Sequence, residues 1–201
     1  MDQISPYKDS PPTRWYQITQ SLIEEHPLTE AELVEIVLSA WKSIFASKFG
    51  SSGFRIGVDI FPKPQIMGFL LHELVPLELE TRYKEIWKKE ATKTDKDCMH
   101  LTMPKYSFEI KTSSHPTRVF GNRSYAQKAS GSRKSKDGYY LTVNFEKFDE
   151  SKRTPRINLI RFGWLDATDW RGQKAATGQQ SNLAPETYQY KLKLLYTKLL
   201  S

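Results

Sequence analysis

The chain has a single cysteine and no long apolar run, and each shortage excludes a class of protein. Cys98 alone cannot form an intramolecular disulfide, and it excludes a zinc site built from several cysteines. No apolar stretch approaches the roughly 20 residues that a membrane-spanning helix needs. Residues 1–14 are polar and proline-rich, unlike a signal peptide. We therefore expect a cytoplasmic protein that makes no use of a membrane.

Positive charge is what the chain has in excess. Its 201 residues include 30 Lys and Arg against 23 Asp and Glu, which gives a net charge of +7. That balance favours a polyanionic partner, nucleic acid first, because each Lys or Arg at a phosphate releases counterions. Many soluble proteins are nevertheless mildly basic for solubility alone. A hydrophobic content of 38% is typical of a globular protein. We expect a flexible N-terminal arm over residues 1–13, which hold three prolines, and a single domain over residues 14–201.

Helical spacing of apolar residues dominates the first half of the chain. A first helix is predicted near residues 15–23, and Thr29 with Glu32 fits the capping box of a second helix. A third helix near residues 65–75 is apolar on nearly all sides, so we expect it to be buried. The charged residues 77–91 are also predicted to be helical.

Strand patterns dominate the second half. Residues 97–102 and 106–112 predict a hairpin, and residues 139–145, 157–165 and 188–196 predict three further strands. Helices followed by strands predict an α/β (α+β) fold, in which helices flank a central mixed β-sheet.

The predicted strand at residues 106–112 carries a possible catalytic pair. On a strand, Glu109 and Lys111 point to one face, while Phe108 and Ile110 point to the core. Together with Asp97, twelve positions upstream of Glu109, they can hold a divalent metal and activate a water for phosphodiester hydrolysis. On spacing alone, the alternative is an ordinary surface pair of charges.

Two further carboxylates leave alternatives open. Glu73 lies on the apolar third helix, where a buried carboxylate needs a partner or a metal. It is therefore either a metal ligand or a structural acid that pairs with an arginine or caps a loop. Asp95 competes with Asp97, although Asp97 directly precedes the apolar strand.

This combination of residues resembles the PD-(D/E)xK nucleases, and in particular the ScaI family of type II restriction endonucleases. The chain departs from the superfamily motif at the first acid, where Lys96 stands in place of proline. Beyond the catalytic strand, the resemblance extends over five blocks: residues 59–74, 106–115, 120–127, 161–170 and 172–180.

The resemblance implies a function and a set of site residues. Asp97, Glu109 and Glu73 would bind Mg²⁺, for which Mn²⁺ can substitute, and Lys111 would act on the water. The expected protein is a homodimer that cleaves double-stranded DNA at a short palindrome, without a nucleotide cofactor. The alternatives are a repair or mobile-element nuclease on the same fold, and a catalytically inactive DNA-binding module.

Two polar segments are candidates for DNA contacts. The basic segment 115–137 is expected to bind phosphates, and the Gln-rich segment 164–180 is expected to read base edges. The alternatives are a solvated basic loop and a loop whose polar groups satisfy its own backbone. The candidate residues are Arg118, Arg123, Gln127, Lys128 and Arg133 in the first segment, and Gln173, Lys174, Gln179 and Gln180 in the second.

Overall fold

A computed structural model describes residues 4–126, 135–149, 153–173 and 178–198. Within them lie four α-helices: α1 (Pro12–Glu24), α2 (Glu30–Ala46), α3 (Pro64–Arg82) and α4 (Pro185–Tyr190). The strands of the same residues are β1 (Trp87–Lys89), β2 (Cys98–His100), β3 (Phe108–Ser113), β4 (Phe120–Asn122), β5 (Gly138–Phe145), β6 (Ile157–Leu165), β7 (Trp170–Gly172), β8 (Gln180–Leu183) and β9 (Lys193–Thr197).

The strands form two sheets. The larger sheet has the order β1-β2-β3-β5-β6-β9, in which β3 and β5 are parallel and every other neighbouring pair is antiparallel. The smaller sheet has the order β4-β8-β7 and is antiparallel. The predicted central mixed sheet with flanking helices is therefore confirmed.

Both faces of the central strands are covered. Phe108 and Ile110 of β3 join the main core under the helices, together with alternate residues of β5 and β6. A second apolar cluster, which includes Tyr140 of the large sheet and Trp170 of the small sheet, packs the two sheets together. Because side chains alternate along a strand, Glu109 and Lys111 point to this second face.

The predicted helices form, with two corrections. The capping box of Thr29 and Glu32 is present at the start of α2. Helix α3 is not buried on all sides, because Ile66 and Phe69 are 51% and 59% exposed. It also runs to Arg82, and the strand β1 follows where a helix over residues 77–91 was expected. None of the helices in the described ranges has the length and apolar character of a membrane span.

The two ends of the chain also differ from expectation. Residues 4–11 are not a loose arm, because Tyr7 is 4% exposed and its hydroxyl donates to the carbonyl oxygen of Trp164. Residues 1–3 lie outside the described part. The predicted strand at residues 188–196 is wrong in its first part, because residues 188–190 belong to α4 and only residues 193–196 belong to β9. Pro185 occupies the first position of α4, where proline is favoured.

Candidate active site

Strands β2 and β3 bring two buried carboxylates together. Cys98 pairs with Phe108, so Asp97 and Glu109 lie opposite each other at the start of the two strands. The backbone N–H of Ile110 donates to Asp97 Oδ2 over 2.6 Å, which fixes the orientation of that carboxylate. Asp97 is 8% exposed and Glu109 is 3% exposed. The geometry therefore places two oxygen donors side by side with little competition from solvent.

Lys111 and Tyr125 both hold Glu109. Lys111 Nζ donates to Glu109 Oε1 over 2.8 Å and to the carbonyl oxygen of Ile110 over 3.2 Å. The Tyr125 hydroxyl donates to the same Oε1 over 2.7 Å, and its ring centroid lies 4.7 Å from Lys111 Nζ. Burial, with the neighbouring charge of Glu109, raises the pKa of Tyr125, so the hydroxyl keeps its proton and remains a donor.

Helix α3 approaches the catalytic strand closely and contributes a histidine. A side chain at Gly68 would place its Cβ 2.7 Å from Thr112 Oγ1, so a glycine is needed where α3 crosses β3. One turn further along α3, His72 Nδ1 lies 3.5 Å from Asp97 Oδ2. No sequence pattern indicates His72 or Tyr125, apart from their presence in the blocks 59–74 and 120–127.

Asp95 has a different role from Asp97. The backbone N–H groups of Ala91 and Thr92 donate to Asp95 Oδ2 over 3.0 and 2.7 Å. This carboxylate therefore closes the turn before β2, whereas Asp97 faces the pair on β3.

Glu73 does not converge on Asp97 and Glu109 as expected. Its side chain is 35% exposed, so it is not a buried acid, and it forms an ion pair with Lys89 of β1. Across the described ranges, no group of three or more His, Cys, Asp and Glu residues is arranged to hold a metal ion. The ion pair with Lys89 turns Glu73 towards β1, and its place among the metal ligands stays a prediction.

A cleft of about 950 Å³ borders this site through His72, which contacts Asp97, and through Thr112, which follows Lys111 on β3. Asp97, Glu109 and Lys111 are not themselves among its lining residues. One wall is the N-terminal half of α3, including His72 and Glu73, and the other includes Gly121 of β4 and Gln180 of β8. Thr112 and Ser113, at the end of the catalytic strand, also line the cleft. A long polar substrate in this cleft would therefore pass between α3 and the small sheet.

The candidate DNA-contact residues differ in their exposure and in their contacts. Arg118 is exposed, whereas Arg123 Nη1 donates to the carbonyl oxygen of Gly178 over 2.9 Å. Gln173, Gln179 and Gln180 are exposed at the loop that joins β7 to β8. The remaining candidates, Gln127, Lys128, Arg133 and Lys174, lie outside the described residues.

The polar residues before this loop are structural. Asp166 and Asp169 cap a short 3-10 turn, and both accept hydrogen bonds from the buried Lys191 Nζ over 2.8–2.9 Å. Burial raises the pKa of Asp169, and Lys191 opposes that shift. For these two carboxylates, the alternative of a self-satisfied loop is correct, and they anchor β7 to the main sheet.

Comparison with known proteins adds two findings. A family model described as ScaI restriction endonuclease matches residues 5–196 of the chain. Type II restriction enzyme ScaI from Streptomyces caespitosus is 49% identical over 181 residues, which cover 89% of this chain and 79% of that protein.

Proposed function

The chain belongs to the ScaI restriction endonuclease family, and from that premise we propose how its residues cleave DNA. It is a type II restriction endonuclease, a site-specific deoxyribonuclease that acts on DNA. The proposal adds that it cuts both strands of a short palindrome, as a homodimer, with Mg²⁺ at Asp97 and Glu109. The observation that carries it is the pair of buried carboxylates Asp97 and Glu109, with Lys111 bound to Glu109 and a cleft of about 950 Å³ beside them.

The two carboxylates fit a divalent cation. Type II restriction endonucleases generally use a divalent metal ion, and Mg²⁺ prefers oxygen donors. It is commonly held by one or two carboxylates plus waters and substrate phosphates. Asp97 and Glu109 supply that number of carboxylates, and we expect Mn²⁺ to substitute because it accepts the same donors. When bound, the ion supplies the positive charge that stabilises the phosphoryl transition state.

Lys111 is the residue that we assign to the attacking water. Its ammonium group is held by Glu109 and by the carbonyl oxygen of Ile110. We propose that it lies beside the scissile phosphate when DNA is bound. From there it orients the water and neutralises charge that develops on the phosphate oxygens. We assign no metal contact to Glu73, since its partner is Lys89.

Substitution of the site residues tests this assignment. We expect Asp97→Asn, Glu109→Gln and Lys111→Ala each to reduce plasmid cleavage by at least about 100-fold while DNA binding persists, because these groups act on the metal and the water. Asp95→Asn is the matched control, and it should cut at nearly the wild-type rate. Near wild-type cleavage by any of the first three variants would contradict the assignment.

Metal replacement gives a second readout. Mg²⁺ or Mn²⁺ should restore cleavage to metal-free protein, whereas Ca²⁺ should support binding with little cleavage, because its longer and looser coordination misplaces the water. Wild-type protein that binds DNA but never cuts in Mg²⁺ or Mn²⁺ would instead indicate an inactive DNA-binding module.

The homodimer is supported by exposed apolar side chains. Cutting both strands of a palindrome needs two equivalent sites, which a two-fold axis supplies. A cluster of large exposed apolar side chains marks an interaction surface, whereas such side chains scattered singly are ordinary. Five of them lie close together in sequence, within residues 49–66: Phe49, Phe54, Val58, Phe61 and Ile66. Sedimentation equilibrium should give twice the chain mass of 23.3 kDa, and Phe54→Glu should shift it towards monomer. A wild-type protein that cuts both strands as a monomer would contradict the dimer.

A further inference from the structure

A second, smaller cavity lies beside the cleft. It has a volume of about 380 Å³, and its polar lining includes Arg118, Arg161, Asn182 and Tyr188. We call it the arginine pocket. Arg161 projects from β6, and Arg118 lies in the loop that leads from the catalytic strand β3 to β4. Two cations from distant parts of the chain therefore meet in one cavity.

Neither arginine has a carboxylate partner among the described residues. Arg161 is half-buried, and its Nη1 donates to the neutral Asn144 Oδ1 over 3.0 Å. Its guanidinium carbon lies 5.6 Å from the centroid of the Tyr188 ring. Burial lowers the pKa of the Arg161 guanidinium, since the charged form is partly desolvated.

A half-buried guanidinium that has no counter-charge within the described part of the chain favours an anionic ligand. The group carries five N–H donors in a planar fork, of which Asn144 accepts one. Phosphate oxygens match that fork in a bidentate arrangement, and a second arginine raises the local positive charge. A carboxylate ligand would use the same donors, so the position of the pocket relative to the cleft decides between them.

The arginine pocket and the cleft are adjacent along the same two segments. Pro116 lines the cleft and Thr117 lines the pocket, while Gln180 lines the cleft and Asn182 lines the pocket. Two residues of a strand span about 7 Å. One strand of DNA advances by a similar distance, about 7 Å, over two nucleotides. A duplex in the cleft would therefore bring a phosphate to the pocket within a few nucleotides.

The pocket is also connected to the catalytic strand. Lys111, Thr142 and Arg161 are register partners on the neighbouring strands β3, β5 and β6, so they share one face of the sheet. Asn144, which accepts from Arg161, donates through its Nδ2 to the carbonyl oxygens of His115 and Arg118. An anion on Arg161 and Arg118 would thus fix the loop that follows Lys111.

We propose that Arg118 and Arg161 together bind one backbone phosphate of the DNA substrate in the arginine pocket, close to the scissile position. This inference rests on the proposed function, because it takes the DNA in the cleft as the source of the phosphate. A phosphate contact does not depend on which base is present. Its role would be to fix the register of the DNA backbone and the position of the loop after β3.

The salt dependence of DNA binding tests whether the two arginines share a phosphate. In Ca²⁺, log K against log salt should lose about one unit of slope in Arg118→Gln and in Arg161→Gln, because one phosphate contact is lost. The double variant should also lose about one unit. A loss of two units would assign separate phosphates and overturn the shared pocket, as would unchanged slopes. Arg14→Gln, on α1 and outside both cavities, is the matched control for net charge.

Neutral phosphate analogues test whether DNA is the ligand. A methylphosphonate placed at successive backbone positions should weaken wild-type binding at one position per half-site near the cut. At that same position, it should have no further effect in Arg118→Gln. Because Arg118 is exposed, we expect Arg118→Gln to fold. The methylphosphonate experiment therefore remains decisive even if Arg161→Gln fails to fold.

Inorganic phosphate distinguishes a free anion from the backbone. If phosphate alone raises the melting temperature of the wild type but not of Arg118→Gln, and no methylphosphonate position depends on Arg118, the pocket binds free anions and the proposal is wrong. The failure of the proposed function looks different, because wild-type protein would then not cleave any DNA. If the wild type cleaves and the arginine variants keep its salt slope, only the inference about the pocket fails.

Discussion

His26 should make the stability of the protein depend on pH. Its ring is 6% exposed, and the rings of Phe162 and Tyr139 lie with their centroids 4.8 and 4.9 Å away. Nδ1 accepts the backbone N–H of Leu28, and Nε2 lies 3.1 Å from the carbonyl oxygen of Tyr106. Both ring nitrogens are thus used by the neutral form. Burial lowers the pKa of His26 from 6.5 to about 4.

The sign and size of the effect follow from proton linkage. The unfolded chain takes up a proton below pH 6.5, whereas the folded protein resists it until about pH 4. The stability from neutral His26 is therefore complete above pH 6.5 and is lost as the pH falls towards 4. At pH 5 the two pKa values give a loss of about 2 kcal/mol in the free energy of unfolding relative to pH 8.

Chemical denaturation at a fixed protein concentration measures this loss. The wild type and His26→Asn, whose amide oxygen can still accept from Leu28, are unfolded in urea at pH 8 and at pH 5. Other groups titrate in both proteins, so the difference between the two pH effects isolates His26. Equal pH effects in the two proteins would refute the reasoning. If His26→Asn does not fold, NMR titration of the wild type decides, and a His26 pKa near 6.5 would be the refuting result.

Three further outcomes are expected at the site. Tyr125→Phe removes one hydrogen bond to Glu109, so single-turnover cleavage should slow by roughly tenfold to a hundredfold with normal DNA affinity; an unchanged rate would leave Tyr125 with a packing role. Glu73→Gln breaks a partly exposed pair with Lys89, so it should cost less than about 1 kcal/mol in unfolding and leave the rate at saturating Mg²⁺ unchanged; a raised Mg²⁺ requirement would return Glu73 to the metal shell. Gln180→Ala should cost about 1–3 kcal/mol of binding on the cognate site and far less on random DNA, as competition binding will measure; equal losses would exclude base reading by Gln180.

Regular periodicity made much of the fold predictable. The capping box at Thr29 is local in sequence, because its hydrogen bonds join residues only three positions apart. The alternation along β5 and the apolar flanks of Glu109 report which side chains join the main core under the helices, although both faces of β5 are buried. Such patterns carry over from sequence to structure because each depends on only a few successive residues.

Contacts between distant segments were not predictable. His72 meets Asp97 only because Gly68 lets α3 cross β3 closely, and no local pattern reports that crossing. Strands β4 and β7 have three residues each, too few to show a period of two. The alternating residues after Tyr188 also fit a strand, but Pro185 starts a helix there instead.

The anchoring of β7 by Lys191 has a consequence for how this enzyme can change over evolution. The buried contacts of Asp166 and Asp169 hold the base of the β7–β8 hairpin, while Gln173 and Gln179 are exposed near its tip. Surface substitutions of this kind usually change stability by less than about 0.5 kcal/mol. If Gln173 and Gln179 read base edges as predicted, substitutions at these two positions would change the recognised sequence while the catalytic strand and the core remain as they are.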